Sequence, residues 1–121
     1  MPSEHRVIVF TSEEAIDAIA RFSKMLDTPL FRGKPTELHV RKNPQVRAIL
    51  EVEKRGSEEI ETIDLSSSHL AAALINFCRE IRIPLPKNAK KELDVSGEQL
   101  VLRLKVGEPS KAAIDDVGLA N

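Results

Sequence analysis

Tryptophan and tyrosine are absent from this chain, and four phenylalanines are its only aromatic side chains. So few flat rings leave little on which the bases of single-stranded nucleic acid could stack, and little to anchor a partner through an aromatic hot spot. A single cysteine, Cys78, excludes an intramolecular disulfide, and without a CxxC pair there is no cysteine-based zinc motif. A lone cysteine suits a reducing compartment, so the expected location is cytoplasmic. No run of apolar residues approaches the roughly 20 that a membrane span needs. The N-terminal MPSEHRVIVF leads directly into a strand-like segment, without the apolar stretch of a signal peptide. Nucleotide-binding glycine loops, HExxH and GxSxG are also missing. No catalytic residue, cofactor site or metal site is therefore assigned, and an enzyme is the less favoured class.

What the chain does contain is unevenly placed charge. The formal net charge is −1, so no global field draws it to nucleic acid or lipid. Between Arg32 and Arg47, however, five basic residues meet one acid, Glu37. Between Glu51 and Asp64 six acids meet Lys54 and Arg55, and Arg79, Arg82, Lys87, Lys90 and Lys91 form a second basic stretch.

The order basic, acidic, basic reflects an internal repeat. Shifted by 55 residues, the chain matches itself at nine of the 33 positions from Ile8 to Val40, including Phe22 with Phe77 and Pro29-Leu30 with Pro84-Leu85. Beyond Val40 the alternation of Val46, Ala48, Leu50 and Val52 aligns with Leu100, Leu102, Leu104 and Val106 only if the second turn is one residue shorter. A slip of one residue would invert every side chain of the strand.

Each copy reads strand, helix, strand, strand. Arg6–Phe10 and Glu59–Leu65 open the copies, and Val7-Ile8-Val9-Phe10, apolar throughout, reads as a central strand. Thr11-Ser12 and Ser66-Ser67-Ser68 supply helix-capping hydroxyls. The helices run over about 13–26 and 68–81, with Ile16, Ile19, Phe22, Ser23 and Leu26 on one stripe and Ala71, Leu74, Phe77, Cys78 and Ile81 on the other. Pro29 and Pro84 stop them. The expected fold class is α+β: two tandem β-α-β-β repeats, 6–54 and 59–106, in a single domain over 1–106. If strand-helix-strand is a parallel crossover, the units point the same way and form one mixed six-stranded sheet with both helices on one face. Residues 107–121 read as a flexible tail.

The histidines His5, His39 and His69 are not at ligand spacing, and Glu58, Glu59 and Glu61 fall on both faces of a solvated hairpin. Asp64 and His69 are close enough in sequence to meet across a helix cap as an acid–base pair, but the expected reading is a surface histidine near a helix start. Cys78, on an inner helical stripe, reads as a packed thiol.

Over residues 81–104 the chain resembles the AbrB-type swapped-hairpin transcription factors. Ile83-Pro84, the basic Lys87–Lys91 stretch and Leu93–Leu104 follow that family's order. The spacing is longer, and a helix stands where the family has a strand. The resemblance implies a DNA-binding dimer. The phrase Ile83-Pro84-Leu85-Pro86, Ala89, Lys91 after a helix is also similar to a group of small bacterial proteins of unknown function.

The expected function is a non-catalytic binding or structural module, forming a homodimer if an edge strand is exposed. The alternative is a DNA- or anion-binding domain using Arg32, Lys34, Lys87, Lys90 and Lys91, which should share one edge if the units point the same way. These cations also follow helix C-termini, where they would complement the carbonyl ends. A small enzyme whose residues meet only in space is the third alternative.

Overall fold

The computed structural model describes residues 4–107. Six strands and two helices follow in the order β1 (Glu4–Phe10), α1 (Ser12–Met25), β2 (Lys34–Lys42), β3 (Val46–Glu53), β4 (Ile60–Leu65), α2 (Ser67–Glu80), β5 (Lys90–Ser96) and β6 (Gln99–Val106). The fold is α+β, and each half runs β-α-β-β. The expected tail lies outside the described residues, apart from Gly107.

The helices start where the hydroxyls predict. Thr11 caps α1 in a reciprocal box with Glu14, and Ser66 caps α2 by accepting from the His69 amide. Their buried stripes are Ala15, Ala18, Ile19 and Ser23, then Leu70, Ala73, Leu74, Phe77 and Cys78. This is a rotation from the sequence-based stripe towards the alanines. The two helices pack on each other as well as on strands, and small residues let their backbones approach. Arg21 spans the pair, bonding Asp17 at 3.1 Å and Glu80 at 3.2 Å while lying 5.4 Å over the Phe77 ring.

The sheet differs from expectation. Instead of one mixed six-stranded sheet there are two three-stranded antiparallel sheets, ordered β1-β6-β5 and β2-β3-β4. The first strand of each half pairs with the last strand of the other: β1 with β6 over seven residue pairs, and β4 with β3 over six. The physical reason lies in coverage. A parallel sheet needs both faces buried, whereas an antiparallel sheet tolerates one wet face, and two helices can dress only one. Val7 and Val9 are accordingly 53% and 49% exposed. β1 is thus an edge strand and not the central one its apolar run suggests.

The ladders of the two halves agree position for position. Leu38 faces Leu50 as Leu93 faces Leu102, and Phe10 faces Leu100 as Leu65 faces Ala48. Equivalent positions are therefore 55 apart up to the hairpin and 52 apart after it. The second turn is three residues shorter, not one. Both spacings preserve the faces, so the alternation alone could not tell them apart.

Edges β2 and β5 meet where Lys42 donates to Asp94 at 2.6 Å, and Arg103 holds the other oxygen of Asp94 at 2.9 Å. The Lys42 ammonium, followed by the Val95 amide and Arg103, keeps the Asp94 carboxyl far below the usual carboxylate range. One core joins the inner faces of both sheets with the helices.

Candidate anion-binding cleft

The chain leaving α1 turns back along the helix end before entering β2. The buried Ser23 hydroxyl accepts from the Leu30 amide at 2.8 Å and so ties the loop to the helix. Gly33 then passes against the end of β3. Its φ is +129°, and a Cβ there would lie 2.4 Å from the Glu53 carbonyl oxygen, so only glycine fits. Opposite, β3 and β4 are joined by a turn through Gly56 at φ +75°. Ser57 closes it, its amide donating to the Lys54 carbonyl at 3.1 Å and its hydroxyl accepting from the Glu59 amide at 3.0 Å.

Between this loop and this turn lies a cleft of about 760 Å³. Lys24, Arg32, Lys34, Lys54 and Arg55 line it, with Glu53 as the single acid, and Phe31, Pro29 and Pro35 supply apolar wall. Lys54 lies 3.7 Å from Glu59. Lys24, Arg32, Lys34 and Arg55 form no ion pair among the described residues. The α1 C-terminus contributes roughly half a negative charge, which Lys24 alone outweighs. The net field in the cleft is positive.

Of the five residues singled out from the sequence, Arg32 and Lys34 line the cleft. Lys87, Lys90 and Lys91 do not. Lys90 lies 3.8 Å from Glu92, and Lys91 donates to the Ala89 carbonyl at 3.3 Å. Lys54 and Arg55 went unnoticed as site residues because they sit inside the acidic stretch Glu51–Asp64. The turn delivers its bases to the cleft, while Glu59 lies against Lys54 and Asp64 reaches Arg47 at 3.1 Å. Asp64 and His69 do not meet: the His69 ring contacts the Ser66 hydroxyl. Cys78 is fully buried, and burial raises its thiol pKa.

Three further groups converge elsewhere. Glu37, His39 and Glu51 stand together on the solvent face of the second sheet, with donor atoms all within 4.8 Å of one another. No helix among the described residues is long and apolar enough to cross a membrane. No protein-family model, curated protein or solved structure matches the chain.

Proposed function

We propose that this chain is a non-catalytic binding module whose cleft beside α1 takes a small phosphate-bearing ligand. One observation carries the reading: four cations without ion-pair partners among the described residues share a concave site with one acid. Its volume lies in the range of small-molecule pockets, and the apolar wall at Phe31 suits a ligand with an organic portion. The two cleft hydroxyls, Ser23 and Ser57, accept from backbone amides, and the lining supplies charge and shape.

Calorimetry with inorganic pyrophosphate and with a nucleoside triphosphate tests this. Binding should weaken by about ten-fold or more in Arg32→Gln and in Lys34→Gln, as loss of a charge-assisted hydrogen bond implies. The triple change of Lys87, Lys90 and Lys91 to Gln should leave it unchanged. Equal weakening by both sets, or no binding, would reject the cleft. Tight duplex DNA binding with a steep salt slope would favour the DNA-binding reading instead.

A second reading, self-association, is favoured by the two outer edges. β1 and β4 each have one side unpaired among the described residues and carry exposed Val7, Val9 and Ile60. Light scattering at rising concentration should show a dimer that Val9→Lys abolishes. A monomer throughout would end that reading.

A further inference from the structure

Glu37 and Glu51 are direct cross-strand partners in the β2–β3 ladder, and His39 follows two residues along on the same face. Carboxylates placed opposite each other on a sheet repel, yet the backbone is shaped to bring these together. The register shifts between Pro35 and Glu37, leaving Thr36 as the extra residue of a bulge, and the Thr36 hydroxyl donates to the Glu51 carbonyl at 3.2 Å. Bulges re-aim side chains, and this one aims Glu37 at Glu51.

The surrounding charges do not resolve the repulsion. His39 Nε2 lies 2.5 Å from Glu51 Oε2 and pairs with that carboxylate. The Glu37 carboxylate has no hydrogen bond or ion pair among the described residues. Asp64, on the neighbouring strand, is taken by Arg47, and Thr62, opposite Glu51, is uncharged.

We propose that Glu37, His39 and Glu51 form a binding site for a divalent transition-metal cation of the zinc class. Two carboxylate oxygens and one imidazole nitrogen are a borderline donor set that suits such ions. A zinc ion held at about 2.0–2.1 Å from each ligand keeps tetrahedral donors about 3.3 Å apart. The present donors span 2.5 Å between His39 and Glu51 to at most 4.8 Å overall, so binding would open the first pair and draw Glu37 inward. Two of the ligands are exposed, while their backbone is fixed by the ladder. The fourth position faces solvent and would hold water or a ligand atom. The ion would neutralise the opposed carboxylates, which His39 by itself cannot do.

Zinc chloride titrated into the full chain, followed by calorimetry and by the histidine ring resonances, tests the site. One equivalent should bind, with the His39 ring shifting and the His69 ring unmoved. Glu37→Gln and His39→Ala should each weaken binding by about ten-fold or more, with circular dichroism confirming that both variants remain folded. Should either fail to fold, Glu37→Asp, which keeps the charge and shortens the reach, supplies the same readout. Arg32→Gln should leave zinc binding intact, which separates this site from the cleft. Zinc binding indifferent to Glu37 and His39, or centred on His5 or His69, would overturn the proposal, as would no binding at millimolar zinc.

Discussion

Ser23 and Cys78 occupy the same place in the last turn of α1 and α2, yet the loops that follow them settle differently. After α1 a side chain makes the tie: the Ser23 hydroxyl takes the Leu30 amide. After α2 the tie is backbone, with the Ile83 amide donating to the Cys78 carbonyl at 2.7 Å and Arg82 at φ 64° to allow it. The second loop is then held from outside by Arg6 of β1, which donates to the Pro84 carbonyl at 3.1 Å. The position equivalent to Arg6 in the other half is Glu61, which forms no such bond to Pro29 among the described residues. At the positions of Phe31 and Lys34 in the open loop stand Pro86 and the buried Ala89. Two similar segments therefore become one cationic cleft and one tethered loop, through a few substitutions at equivalent sites.

The largest expected effect separates Gly33 from its counterpart Asn88. Gly33→Ala forces a Cβ onto backbone at a φ that suits only glycine, and should cost about 3 kcal/mol. Asn88→Ala, in an exposed position without positive φ, should stay within about 0.5 kcal/mol. Urea denaturation of both variants decides; equal losses would break the comparison.

Ser23→Ala comes next. It leaves the part-buried Leu30 amide without its acceptor and should cost about 1–2 kcal/mol, with faster hydrogen exchange at Leu30. The matching test in the other half is chemical, because the Cys78 thiol is buried and its pKa raised by that burial. Native labelling by a small alkylating reagent should be slow, and labelling in denaturant fast. Rapid native labelling would show that the packing over Cys78 opens in the native state.

Arg6→Gln should cost less than about 1 kcal/mol, since the bond is exposed. Its signature is local, a loss of exchange protection in residues 81–89 that leaves 26–33 untouched.

The joint between the sheets has its smallest signature near neutrality. The Asp94 carboxyl titrates below its unfolded value because of Lys42 first, then the Val95 amide and Arg103. It stabilises the fold above the ordinary aspartate pKa of about 3.9, and that contribution disappears as pH falls through the lower folded value. Thermal melts of the native chain should weaken below about pH 4. Asp94→Asn should flatten that acid limb.

Much of the local structure was legible. Thr11 and Ser66 marked the helix starts and Pro29 and Pro84 their limits, because capping and ring closure act within a few residues. The even spacing that kept Leu50 and Leu102 on the same face was legible too; its value was not, since alternation repeats every second residue. The cleft was half visible, through Arg32 and Lys34. Lys54 and Arg55 were hidden by neighbouring acids that turn elsewhere in the fold. The Glu37, His39 and Glu51 group was invisible, because the partner of Glu37 depends on a bulge in a ladder.

The sequence by itself determined six strands, two helices and their order, through short-range sterics, capping and the periodic placement of apolar side chains. Only the tertiary structure decided the partner of β1; the other pairings join consecutive strands through short turns. Backbone hydrogen bonds are chemically alike in every strand, so nothing local in Val7–Phe10 distinguishes β2 from β6 as its partner. The choice was made by burial: two helices cover one face, and antiparallel pairing across the halves leaves the other face to water at the lowest cost. That same exchange separated Lys87, Lys90 and Lys91 from Arg32 and Lys34, and brought Lys54 and Arg55 to them.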